Sequence, residues 1–222
     1  MRFASLDTLL SPDDLPYTSG IERLEDGVMH VAVMTRMPGV APAMIEWWFG
    51  EYLQTTDHYR RWHPRDHVWM DWENKSPGTH IGASHLVHEF IGGRLHKLRI
   101  HFLDPAAVFA DSLAGEPGAV AIYARSGLLE RPVDVGRMVH LALPTSYGCN
   151  LHSRFWLGYV RGRSGGALIE RLGNSGVMRR LLVSHTLASA LSVHCHEEMS
   201  NLAGFLPQLY AEEQSARSAN QV

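Results

Sequence analysis

His194 and Glu198 stand four residues apart in a stretch whose apolar positions follow the three-to-four spacing of a core-facing helix: Val183, Leu187, Leu191, Leu202 and Phe205. Both fall on that apolar stripe. A carboxylate taken into a core without a partner is costly, so Glu198 asks for a cation or for strong donors. An imidazole and a carboxylate one helical turn apart are placed to share a metal ion. The same pair could instead hydrogen-bond to each other beneath a sheet. Glu197 lies beside the stripe as the reserve ligand, and His196 points away.

A second carboxylate reaches the interior by another route. The runs THIGASHLVHEFI and RLHKLRIHF meet at Gly92-Gly93, a dipeptide suited to a tight primed turn. A two-residue turn pairs Glu89 with His96, Val87 with Leu98 and His85 with Ile100, all six on one face. The apolar members make this the core face, so Glu89 points inward and His88 outward. The plainer alternative is a Glu89–His96 pair at a wet sheet edge. HYRRWHPRDH adds His63 and His67, and the residues alone do not choose between them. Two histidines with two carboxylates suit tetrahedral zinc, although the same atoms admit iron or manganese. In GRMVHLALPTSYGCNLHSRFWLG, His140 sits mid-strand and His152 opens the next strand. With apolar flanks, His140 reads most simply as a satisfied core histidine.

The elements that must position these groups form an α+β chain. Residues 1–20 read as an irregular arm, and 27–35 alternate as a strand. Pro42 opens an amphipathic helix, AMIEWWFGEYL, and Pro64 breaks any helix around it. After the 79–102 hairpin, strands are expected at 119–125, 136–143 and 151–161. One long helix over 175–213 closes the chain, ending at Pro207 or in the polar tail. A curved antiparallel sheet wrapped around that helix would bury its stripe. The expectation is a single domain over 1–222, with an arm to residue 25, a catalytic body over 26–213 and a flexible tail at 214–222.

Composition excludes several functions. The formal net charge is -3 with scattered Lys and Arg, which does not make a nucleic-acid groove. Only Cys149 and Cys195 occur, too few for a disulfide framework or a thiolate zinc site, and in keeping with a reducing cytoplasm. No apolar run would span a bilayer, and MRFASLDTLLSPDDLPY lacks the apolar core of a signal peptide.

Five elements, IEWWFGEY, HYRRWHPRDH, SHLVHEFIGG, YGCNLHSRFWLG and HCHEEMSNLAGFLPQLY, occur in an order that resembles the diacetylphloroglucinol hydrolase and phloretin hydrolase family. The likeness runs over about residues 44–210. It implies a helix-grip fold of the Bet v 1 and START kind. It further implies a zinc-dependent hydrolase that splits the carbon–carbon bond between an acyl group and a polyhydroxylated aromatic ring by a retro-Claisen route. The implied zinc ligands are His67, Glu89, His194 and Glu198, and only the resemblance selects His67 over His63. The implied catalytic histidine is His140, with His152 a second candidate, and Tyr59 is the implied substrate-contacting tyrosine. Met70 stands where the resemblance calls for an asparagine, which points to a different acyl or aromatic group. The expected partner is a small aromatic ketone, with no nucleic acid and no membrane, and a homodimer by analogy. Two other functions stay open: a helix-grip protein that binds an apolar or aromatic molecule without chemistry, and a metal-dependent hydrolase of another carbonyl compound.

Overall fold

The computed structural model describes residues 1–219 apart from positions 12, 14, 16, 110 and 111, and the side chains of Ala4 and Ser5. Eight strands make one antiparallel sheet: β1 (Gly20–Arg23), β2 (Met29–Pro38), β3 (His67–Glu73), β4 (Ser84–Ile91), β5 (Arg94–Leu103), β6 (Val120–Leu128), β7 (Val133–Thr145) and β8 (Gly148–Gly162). Their order is β1-β2-β8-β7-β6-β5-β4-β3, so the chain lays β3 to β8 as successive hairpins and closes β8 against β2. The helices are α1 (Pro42–Trp47), α2 (Thr56–Trp62), α3 (Ala106–Phe109), α4 (Ala167–Gly173), α5 (Gly176–Leu182) and α6 (His185–Ala219). None of the described helices is long and apolar enough to cross a membrane.

Two apolar layers bury both faces of the sheet. On the inner face, Met199, Leu202, Leu206 and Leu209 of α6 join Val31, Val33 and Met37 of β2 and the aromatic residues of α1 and α2 in the main core. On the outer face, Leu6 and Leu9 join Val139, Leu141 and Trp156. The first residues therefore do more than the irregular arm expected of them: Phe3–Leu10 form a 3-10 helix whose Phe3 stands edge-on to Trp156 at 5.1 Å. Expectation and structure agree that Pro42 opens a helix, which passes into a single π turn over Trp48–Tyr52.

The closing helix departs from its expected bounds in three places. Residues 175–213 are broken at Val183, whose backbone is extended. Ser184 then starts α6 afresh, its Oγ accepting from the Leu187 amide at 3.1 Å, as an N-cap serine does. Pro207 lies inside α6 and does not end it. Residues 214–219, expected as flexible tail, continue the helix, with Arg217 paired to Glu51; 220–222 lie outside the described residues.

Gly92 and Gly93 both have left-handed backbone angles, φ 59° and 75°, and fold β4 onto β5. The partners are Glu89 with His96, Val87 with Leu98 and His85 with Ile100, the register read from the sequence. A Cβ at Gly92 would lie 2.8 Å from the Ala190 side chain on α6, whereas one at Gly93 would meet nothing within 4 Å. Gly93→Ala should therefore cost only the left-handed strain, about 1–2 kcal/mol. Gly92→Ala should cost visibly more, because it also pushes α6 from the turn. Urea titration of the two variants checks the difference; equal losses would mean that the turn does not brace the helix.

Candidate functional site

The cluster is assembled from three elements. Thr55 caps α2 by accepting from the His58 amide at 3.2 Å, and the helix stops at Trp62, two residues before Pro64. The Tyr59 carbonyl accepts from Nδ1 of His67 at 2.8 Å. That bond fixes the His67 tautomer and leaves the Nε2 lone pair free. The Tyr59 ring lies flat on the same imidazole, with centroids 3.7 Å apart. His67 begins β3, a strand that the sequence did not reveal, and pairs directly with Glu89 across to β4, next to a bulge before Trp69. His194 and Glu198 arrive from α6 on its buried side.

All four side chains are nearly sealed, with 3% of His67, 7% of Glu89, 4% of His194 and 8% of Glu198 exposed. Nε2 of His67 stands 3.8 Å from Glu89 Oε2 and 3.5 Å from Glu198 Oε2. Nε2 of His194 stands 3.9 Å from the same oxygens. These spacings are too long for hydrogen bonds. They approach the separation of about 3.4 Å between ligands that each lie about 2.1 Å from a tetrahedral ion. Nε2 of both imidazoles is buried without a hydrogen-bond partner, which a native interior seldom tolerates. The donor set thus fits a divalent ion on its own geometry. His67, Glu89 and His194 offer atoms within 4.8 Å of one another, and His63, Asp66 and His194 form a second such group. Glu197, the reserve ligand, instead faces His63 and Arg65.

Burial pushes the Glu198 carboxyl up to about 8, the His194 charge opposing and the Glu89 charge adding to the shift. Burial likewise drives the His67 imidazole down, against the pull of Glu89. The Tyr59 hydroxyl donates to Glu89 Oε2, a bond that no motif or spacing announced. Burial first, and then the Glu89 charge, hold that hydroxyl protonated.

Above the cluster opens a cavity of about 420 Å³, enclosed by the inner sheet face, α5 and α6, with Leu98, Ile100, Leu187 and Leu191 among its walls. This is the size of a small-molecule site. Glu89, His194 and Glu198 reach it, as do Tyr59 and His140. His140 is fixed by Ser153, whose Oγ lies 2.7 Å from Nδ1, and burial lowers its pKa to about 4. Ser153 is a partner that sequence reading missed; it sits directly across the β7–β8 ladder from His140.

His152 does not join them. It pairs with Leu141, a member of the outer apolar layer, so its side chain is on the far face of the sheet from the cavity. Met70 is buried in the inner core with Tyr59 and Trp62 and is not among the residues lining the cavity, so it does not set the cavity's polarity by contact.

A curved antiparallel sheet that grips a long C-terminal helix around an apolar cavity is a helix-grip protein, here with a sealed histidine–carboxylate cluster at the cavity's end. Residues 1–211 match the family model described as DAPG hydrolase PhiG domain, and the chain belongs to that family of hydrolases. It is 29% identical to 2,4-diacetylphloroglucinol hydrolase of a Pseudomonas species, over 93% of this chain and 75% of that protein. It is 27% identical to phloretin hydrolase of Eubacterium ramulus, over 95% of this chain and 78% of that protein. Among solved structures, norcoclaurine synthase from Thalictrum flavum aligns with a TM-score of 0.40 and 11% identity, covering 88% of this chain and 89% of that one.

Proposed function

We propose that the protein is a zinc-dependent hydrolase that cleaves the carbon–carbon bond between an acyl group and a polyhydroxylated aromatic ring. The observation that carries this reading is the meeting of His67, Glu89, His194 and Glu198 at 3.5–3.9 Å at the end of an apolar cavity whose wall holds His140. The names of the two relatives support the reaction class, because each denotes a hydrolase of an acylated phenolic compound. A divalent ion held by the four ligands supplies Lewis acidity to a carbonyl and lowers the pKa of adjacent water toward about 7.

The chain's own groups account for the rest. An acylated polyhydroxy-aromatic can tautomerise to a ring ketone, so that its acyl carbonyl becomes half of a β-diketone and the ring carbon can leave as a stabilised enolate. That carbon needs a proton. His140 is neutral at rest, because burial holds its pKa at about 4, so it must first take the proton that the attacking water gives up. It can then return that proton to the ring carbon, with Ser153 holding Nδ1 and Nε2 doing the transfer. Tyr59 spends its hydroxyl proton on Glu89 but keeps lone pairs with which to accept from a ring hydroxyl. The apolar walls exclude bulk water and hold the ring.

Protein purified without added metal should cleave an acylphloroglucinol, lose that activity to a strong chelator and recover it with zinc. Simple aryl esters, which lack the ketone tautomer, should be poor substrates. A folded protein that takes up no zinc and leaves acylphloroglucinols intact would sink the proposal. Faster turnover of aryl esters would move the metal to other carbonyl chemistry.

A further inference from the structure

The HPRDH segment gives His67 to the cluster, while His63, Arg65 and Asp66 have no part in the chemistry above. Asp66 approaches His194 from behind: Nδ1 is buried without a hydrogen-bond partner and faces Asp66 Oδ2 at 3.5 Å, while Nε2 of the same ring faces Glu89 and Glu198. Asp66 is itself held in place. Arg65 donates through Nε and Nη2 to its two oxygens, each at 3.2 Å, and also grips Glu197. The Asp66 carbonyl accepts from the Phe90 amide at 2.8 Å, which ties it to the residue after Glu89. Its own amide donates to Nδ1 of His63 at 3.2 Å. With Nδ1 accepting, His63 carries its proton on Nε2, which points toward Asp66 and Glu197 at 3.7 and 3.6 Å. The His63 ring then lies nearly parallel to that of His194, with centroids 5.0 Å apart and planes 9° apart.

We propose that Asp66 is a positioning residue that accepts the Nδ1 proton of His194 and so presents the Nε2 lone pair to the metal, with His63 stacked behind the ring to keep it from turning. His67 shows this arrangement closed, its Nδ1 donating to the Tyr59 carbonyl at 2.8 Å. The matching bond from His194 needs the 3.5 Å gap to Asp66 to shorten by about half an ångström on metal binding, after which both imidazoles would be held in one tautomer, one by backbone and one by a side chain. Metal-bound histidines commonly donate their second nitrogen in this way. The inference rests on the metal reading of the cluster. The other use of the His63–Asp66–His194 group, as a second cation site, conflicts with Arg65, whose positive charge already occupies both nearby carboxylates.

The test compares zinc affinity of the full chain, by competition with a chelator, in wild type, Asp66→Asn and Asp66→Ala. Affinity should fall about 10- to 100-fold in Asp66→Ala, as for other groups that orient a metal ligand, and less in Asp66→Asn, whose carbonyl can still accept. A protected imidazole Nδ1–H signal assigned to His194 in the zinc-loaded protein should disappear in Asp66→Ala. If Asp66→Ala does not fold, Arg65→Ala, altered at a side chain that is 67% exposed, should still weaken zinc several-fold by freeing Asp66. Wild-type affinity in every folded variant, with the signal retained, overturns this inference and leaves the metal reading standing. Wild type that binds no zinc overturns the metal reading itself. Two zinc ions per wild-type chain, one of them lost in Asp66→Ala, would replace the positioning role by a second site.

Discussion

Glu198→Gln is expected to yield a folded protein that retains no stoichiometric zinc and cleaves acylphloroglucinols at least about a thousandfold more slowly, several kcal/mol of transition-state stabilisation leaving with the ion. His194→Ala should do the same from the other ligand type. Glu198 also makes a prediction that needs no activity assay. Burial first, with Glu89 adding, raises its pKa from the ordinary 4.5 to about 8 in the metal-free fold. Between those two values the unfolded chain has released a proton that the folded chain still holds, so stability falls as pH rises. The contribution is fully present below pH 4.5 and is lost as pH climbs through about 8. Buried histidines held at about 3 to 4, among them His85 and His140, favour the fold as pH rises and act on both proteins alike. In a chelator, wild type should therefore lose ground in melting temperature to Glu198→Gln, which has nothing to ionise there, between pH 5 and pH 8. Added zinc should reverse the order at pH 8, stabilising wild type and leaving the variant unmoved. Parallel pH dependence in the two proteins would mean that the Glu198 carboxylate is satisfied by some other partner, and the ligand assignment would fall with it.

These residues were unequally legible. Glu89 could be placed because Gly92-Gly93 dictates a two-residue turn, and a known turn fixes the register of every pair behind it. His194 and Glu198 could be placed because a helix reports its buried face by period. His67 could not be. Its direction depends on a hydrogen bond to the Tyr59 carbonyl and on a bulge in β3, neither of which leaves a periodic trace, so only family resemblance picked it out. Asp66 and Ser153 escaped for a related reason: each acts through another side chain rather than on a recognisable motif. The break at Ser184 was hidden because Val183 keeps the apolar spacing of the helix on the far side of it.

The choice between His140 and His152 shows the limit most clearly. Alternation normally tells the inner face of a strand from the outer, but the arm residues Leu6 and Leu9 cover the outer face of β7 and β8. Both faces are then apolar, so β7 reads as a nearly continuous hydrophobic run from Met138 to Pro144. β8 mixes polar and apolar residues on both faces, and alternation does not tell the two histidines apart. The Ser146-Tyr147 turn lacks the glycine or asparagine that would have announced the register.

The structure therefore sets a direct contest between them. His140→Ala should keep its zinc and its fold and lose about a hundred- to ten-thousand-fold in turnover, the usual worth of a positioned proton-transfer group. The Ser153–His140 pair is not part of the proposed ligand set, so metal content and turnover should part company in this variant, as they do not in Glu198→Gln. Ser153→Ala should lose less, because it frees the ring without removing it. His152→Ala should turn over within about twofold of wild type, any harm appearing as lost stability, since its side chain belongs to the outer layer. Full turnover in His140→Ala with metal bound would end its proton-transfer role. The enolate carbon would then have to take its proton from solvent, and the cavity walls would matter for binding alone.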